Sequence, residues 1–270
     1  MKMMKDNLNR KLKQIGVSVL LGSMFLTGTM NVFAKSPADP NKVLRYVFPV
    51  AETGFDPAGT HDLYSAHVHN SIFEGLYTYD YLASPAKLVT RTAVAMPEVS
   101  SDGLTYTFKV QKGIYFAKDP VFKGKPRELT AQDYVYSYKR LLDPSLRSPN
   151  SWLFDDKIVG MDKVLAQAKK TGKFNYDMPV EGLYAPDRYT LVIKLKQPDQ
   201  NFPMLLAHQP AGAVAREVIE KYRNKAGFAM GHPVGTGPYM LSRWTPGSRI
   251  ILKANPDFRS FVWNFKASSP

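Results

Sequence analysis

With 270 residues and no cysteine, the chain has no disulfide framework, no thiol nucleophile and no cysteine to carry a lipid at a leader cleavage site. Its length admits one large domain or two modest ones. The formal charge of +13 is spread over scattered groups (Lys123, Lys125 and Arg127; Lys169, Lys170 and Lys173; Arg216, Lys221, Arg223 and Lys225), which reads as solvated faces and argues against nucleic acid as a partner.

The N-terminus is basic through Lys2, Lys5, Arg10, Lys11 and Lys13, with Asp6 the single acid. An apolar run from Ile15 to Leu26 follows, then small residues ending in Val32-Phe33-Ala34. This order predicts a secretory signal peptide over residues 1–34, cleaved after Ala34. The run is shorter than the roughly 20 apolar residues a spanning helix needs. Export to the periplasm, or free secretion, is therefore expected, with a mature charge of +9 once the leader's five basic and one acidic residue are gone.

Residues 35–41 read as a loose arm. Val43 to Val50 is β-branched and aromatic and predicts a strand. Phe55-Asp56-Pro57 turns the chain, and Asp62 caps a helix running towards Glu74 and stopped by Gly75. Thr105 to Gln111 alternates, with Tyr106, Phe108 and Val110 on one face, and predicts a half-buried strand. Thr130 opens a helix carrying Asp133 in its first turn, with Tyr134, Tyr138, Leu141 and Leu142 at helical spacing, ended by Asp143-Pro144. A second helix is predicted over Met161–Lys170 with Gly172 as its stop. Tyr189 to Lys196 alternates again through Leu191, Ile193 and Leu195. Met204–His208 and Arg216–Lys225 read as short helices. Pro238–Trp244 and Ser248–Ala254 flank Thr245-Pro246-Gly247, which predicts a hairpin. Helices between strands, with at least one hairpin, give an α/β class with mixed sheets.

Several segments occur in a recognisable order: Phe55-Asp56-Pro57, then Ile72-Phe73-Glu74-Gly75-Leu76, Ser101-Asp102-Gly103-Leu104-Thr105, Thr130-Ala131-Gln132-Asp133-Tyr134, Gly235-Thr236-Gly237-Pro238-Tyr239 and Ala254-Asn255-Pro256-Asp257. The chain resembles the family 5 extracellular solute-binding proteins, the peptide- and nickel-binding components of ABC importers. The resemblance implies a type II periplasmic-binding-protein-like fold: a two-lobed clamp that closes by a hinge. It maps residues 35–66 to the start of lobe I, 67–186 to an inserted small domain, 187–258 to the rest of lobe I and 259–270 to a tail. The family continues well beyond the Asn-Pro-Asp motif, so the expected molecule is an incomplete clamp lacking its second lobe and impaired in binding. The implied ligand is a peptide, the implied partners are the importer's membrane subunits, and a monomer is expected. The resemblance puts Ala51, Glu52 and Thr53 on the cleft, with Glu52 facing either a peptide's amino terminus or basic side chain, or solvent, and adds Thr236 and Gly237 as ligand residues. A different class of function, an exported interaction or chaperone-like fragment, would use the apolar residues Phe258, Phe261, Val262, Trp263 and Phe265.

Other signals are weaker. His61, His67 and His69 suit a divalent metal by type, yet the last two diverge by about 200° on a helix, so no metal and no cofactor are expected. Gly235-Thr236-Gly237 precedes a strand and lacks a following Lys-Ser or Lys-Thr, which argues against a phosphate cradle; Gly237 and Pro238 are expected to shape the approach to the hairpin. Glu74 and Asp133 read as last- and first-turn helix residues. No Gly-x-Ser-x-Gly or His-Glu-x-x-His frame occurs, so an enzyme is not expected.

Overall fold

The computed structural model describes residues 42–259. The leader with its cleavage point at Ala34, the 35–41 arm, and Phe261, Val262, Trp263 and Phe265 lie outside the described residues. The chain divides into two units, 1–47 and 48–270. In the first, residues 42–47 carry no regular structure, and Val43, Leu44 and Val47 are exposed at 66%, 89% and 84%. The strand expected over Val43–Val50 is thus not formed. β-branched residues favour extended backbone, but a strand also needs a neighbour for its N–H and C=O groups, and no described pairing includes this segment.

The second unit is built on a four-stranded sheet in the order β3-β4-β6-β5, comprising β3 (Glu98–Val99), β4 (Thr105–Lys109), β5 (Leu183–Asp187) and β6 (Thr190–Lys194). All its pairings are antiparallel. The register sets Tyr106 opposite Ile193 and Phe108 opposite Leu191, and all four are at most 3% exposed. The alternation read from the sequence therefore falls on one face, where each large side chain contributes roughly 1.5–3 kcal/mol by leaving water. The lobe boundary expected between residues 186 and 187 falls inside β5, and the sheet runs across it.

Helix α2 (Ala131–Leu142; α1 is described below) packs against β5 and β6. Thr130 donates from its N–H (2.8 Å) and its hydroxyl (2.9 Å) to Asp133, which fixes the helix start. Tyr134, Tyr138, Leu141 and Leu142 are buried as their spacing predicts. Helix α3 (Met161–Thr171) ends on Gly172, whose φ of +70° a side chain would strain and whose N–H returns to the Ala168 carbonyl at 2.8 Å. Short helices α4 (Phe202–Leu205) and α5 (Arg216–Tyr222) follow. Arg127 departs from the solvated reading of its basic group: it bridges Asp133 and Glu217, each at 2.6 Å, and so ties the start of α2 to α5.

Two hairpins complete the unit. β1 (Tyr77–Tyr79) pairs with β2 (Leu88–Thr90), and β7 (Tyr239–Thr245) pairs with β8 (Arg249–Ala254) around the expected Pro246-Gly247 turn. A two-stranded ribbon is marginal alone. The β7–β8 pair is held by Leu241, Trp244, Ile250 and Leu252, which pack on a second core cluster containing Phe55, Val68, Ile72 and Phe73. Val68 and Ile72 belong to α1 (Leu63–Ile72), whose N-cap Asp62 accepts from the Ser65 N–H at 2.8 Å.

Candidate functional site

The expected ligand segment, Ala51–Thr53, is irregular backbone clamped by its side chains. Glu52 Oε1 accepts from the Trp244 indole N–H and from the Gly247 N–H at 3.1 Å, so the carboxylate rests on the β7–β8 turn. Burial pushes the Glu52 carboxyl up, but the Trp244 and backbone donors outweigh it and hold the group below its ordinary value. Thr53 donates from its hydroxyl to Asp62 (2.6 Å) and from its N–H to the Ser65 hydroxyl (3.1 Å), which fastens the segment to the first turn of α1. Burial opposes ionisation of Asp62 too, yet the donors of Ser65 and Thr53 bring it to about 2. Among the described residues, the carbonyls of Ala51, Glu52 and Thr53 accept no hydrogen bond. The segment thus holds a short run of main-chain acceptors unpaired among the described residues, next to two anchored carboxylates. Trp244 is rigid in this role because its ring packs 4.8 Å from Phe55.

The other two expected residues sit deeper. Thr236 is 2% exposed and donates to Glu74 at 2.9 Å. The Gly237 N–H reaches the Ile72 carbonyl at 2.8 Å, and the Gly237 carbonyl accepts from the Asn255 side chain at 3.0 Å. The glycines serve close approach to the end of α1: a Cβ on Gly235 would stand 2.0 Å from the Ile72 oxygen, and one on Gly237 would stand 2.7 Å from it. Gly237, which with Pro238 leads into β7, thus also meets a packing requirement at the helix end.

Glu74 is also not what its position suggested. It lies past the last turn of α1, is 1% exposed, and gathers Arg91 Nε (3.0 Å), both terminal nitrogens of Arg259 (2.8 Å each) and the Thr236 hydroxyl. Four segments distant in sequence meet on this one carboxylate. Asp56 plays the same part below the ligand segment. Its two oxygens take Arg140 in a two-pronged pair at 2.8 Å each, and also the N–H groups of Ala58 (3.0 Å) and Ala229 (2.8 Å). Burial works to raise the Asp56 carboxyl, and the Arg140 charge brings it below the ordinary range.

The histidines do not converge. His69 is buried with its Nε2 3.0 Å from the Thr60 hydroxyl, while His67 is exposed and edge-on to Tyr64. Among the described residues no three His, Cys, Asp or Glu side chains form a metal-sized group. Residues that sequence reasoning passed over are Trp244, Asp62 as a partner of Thr53, and the pairs on Asp56 and Glu74. Arg140 had left a trace: it is a cation inside the apolar stripe of Tyr134, Tyr138 and Leu141.

Residues 87–268 match the family model for bacterial extracellular solute-binding proteins, family 5 Middle. The chain belongs to family 5 of these solute-binding proteins. It is 30% identical over 210 residues to the periplasmic oligopeptide-binding protein OppA of Escherichia coli K12, covering 77% of this chain and 34% of that protein. It is 27% identical over 253 residues to the dipeptide-binding protein of Lactococcus lactis subsp. cremoris, covering 92% and 42%. Among solved structures it superposes on Burkholderia pseudomallei OppA with a TM-score of 0.62 at 25% identity, over 80% of this chain and 38% of that one. It also superposes on the Escherichia coli murein tripeptide binding protein MppA with a TM-score of 0.60 at 26% identity, over 77% and 37%. The chain spans 34% and 42% of the length of the two curated relatives. The chain has part of the type II periplasmic-binding-protein fold, and the sequence segments that carry the resemblance supply its locks: Asp56, Glu74, Thr130 with Asp133, Gly235 with Gly237, and Asn255.

Proposed function

We propose that this chain is the ligand-capturing component of an ABC importer, that the leader 1–34 sends it to the periplasm, and that it takes peptides along Ala51–Thr53. The observation that carries the reading is the run of main-chain carbonyls at Ala51, Glu52 and Thr53 with no donor among the described residues, held in place by Trp244, Gly247 and Asp62. Unpaired backbone acceptors match the N–H groups of an extended peptide and ignore its side chains, which is how broad peptide recognition is built. Relatives named for binding oligopeptides and dipeptides support the same ligand class. Thr236 and Gly237 belong to the site through the loop they fix beside α1. The reading is of a carrier that releases its ligand unchanged to the importer's membrane subunits, acting as a monomer.

Calorimetry with short unmodified peptides and with the same peptides methylated on their backbone nitrogens tests this. Unmodified peptides are expected to bind weakly, in keeping with the impaired binding expected of this chain, and methylated ones to lose about tenfold or more of that affinity, since each lost backbone bond leaves a carbonyl unmatched. Equal binding of both sets would sink the backbone reading; binding of neither would sink the peptide reading.

A further inference from the structure

The outer face of the β7–β8 ribbon has no part in the site described above. Successive strand residues point to opposite faces, and residues paired across a ladder share one. Leu241, Trp244, Ile250 and Leu252 take the covered face. The register pairs Arg243 with Ile251, Thr245 with Arg249 and Met240 with Lys253, so these six take the other. Met240, at the base of the ribbon, reaches the main core. Arg243, Thr245, Arg249 and Lys253 are exposed, and Ile251 is half-buried among them.

Three cations therefore surround one apolar side chain. Arg249 and Lys253 are the diagonal neighbours of Arg243, roughly 7–8 Å away across the strands. That is within about one Debye length at physiological salt, so dissolved ions leave much of their mutual repulsion in place. The ribbon itself offers no counter-charge, since residues 239–254 include no Asp or Glu. None of the three cations forms an ion pair among the described residues. Glu52 touches the ribbon through Trp244, on the covered face, and through the Gly247 N–H at the turn. Asp257, just past the ribbon, is taken by Lys118 at 3.1 Å. The lysines at the end of α3 (Lys169, Lys170 and Lys173) are placed differently, because the partial negative charge of the helix carbonyls offsets them. The ribbon face is thus a basic surface whose complement is an anion-bearing one.

We propose that this face docks on an anionic phospholipid surface, with Arg243, Arg249 and Lys253 meeting headgroup phosphates and Ile251 lying against the headgroup–acyl boundary. The cations are spread over an open face rather than gathered in a pocket, which suits an extended array of phosphates. An apolar side chain at their centre favours a lipid interface over a purely polar acidic surface. The inference does not depend on the peptide reading.

The test is co-flotation of residues 35–270, free of the leader's own basic and apolar groups, with two kinds of vesicle. One is phosphatidylcholine alone, the other an equal mixture of phosphatidylcholine and phosphatidylglycerol. The chain is expected to float with the mixed vesicles only, and to be released by high salt. Arg243→Gln, Arg249→Gln and Lys253→Gln are each expected to weaken that binding about fivefold, and together about a hundredfold. Lys169→Gln, Lys170→Gln and Lys173→Gln together remove the same charge from α3 and are expected to change it little. An equal loss in this second set would show a response to net charge alone and overturn the proposal. So would equal flotation with both vesicles, which would mark an apolar contact. Failure to float with either would overturn it too, and binding to poly-glutamate in that case would make the partner an acidic protein. The wild-type series and the single variants decide without the triple, so a triple variant that fails to fold leaves the outcome intact.

Discussion

Asp56 and Arg140 meet in the core with side chains at most 2% exposed. Such a pair gains little over an apolar replacement of both members, but losing one member strands the other's charge. Arg140→Met is therefore expected to lower the unfolding free energy by about 3–5 kcal/mol in urea melts. Tyr138 offers the opposite case. Its hydroxyl is buried with no hydrogen-bond partner among the described residues, so the folded state carries a desolvated group with nothing in return. Tyr138→Phe is expected to be neutral or to stabilise by about 1 kcal/mol in the same melts. Either substitution going the other way would show that the charges or the hydroxyl are wetter than the structure places them.

At the scale of elements, the tightest contact is between the Gly235–Gly237 loop and the end of α1. Gly235→Ala puts a methyl 2.0 Å from the Ile72 oxygen, which neither backbone can accommodate without shifting. A loss of at least about 2 kcal/mol is expected, larger than the ~1 kcal/mol expected for removing the N-cap hydroxyl by Thr130→Ala. Thermal denaturation of the two variants gives the order. These elements were unequally legible in the sequence. α2, β4, β6 and the β7–β8 hairpin were readable because amphipathic spacing, a first-turn carboxylate and a Pro-Gly turn are local signals. β3 and β5 were not, since two residues carry no period and Pro186 interrupts the other. The Val43–Val50 strand failed for the converse reason: its composition was right, but pairing is a property of the neighbour. In the candidate site, the glycines and Glu52 could be singled out from the sequence. Trp244 and Asp62 could not, because each becomes relevant only when the hairpin or α1 is folded against residues 51–53.

For the molecule as a whole, acid should act in two stages. His69 is held at about 4, against an ordinary 6.5, by burial, with Asp56 and Asp62 pulling only partly the other way. Below pH 6.5 the unfolded chain takes up a proton that the folded chain refuses until about pH 4. Stability is therefore full above 6.5 and declines on acidification by something on the order of 3 kcal/mol from this group. Asp56 and Asp62 behave as depressed carboxyls: their contribution persists above their unfolded values and is lost as pH falls further, for Asp62 towards about 2. Urea midpoints across pH 7 to 4 are expected to slope for the wild type and to flatten for His69→Gln. A parallel slope in both would place the acid sensitivity elsewhere.

The four-stranded sheet has one more consequence, which concerns crowding rather than ligand. Its outer strands are poor templates: β3 is two residues long and directly follows Pro97, and β5 carries Pro186, which has no N–H to offer. Neither rim can readily recruit a strand from a neighbouring molecule. A chain with this sheet and no cysteine to misjoin is expected to refold from concentrated denaturant with its yield insensitive to oxidant, and with little of the intermolecular β-structure that traps open-edged sheets as precipitate.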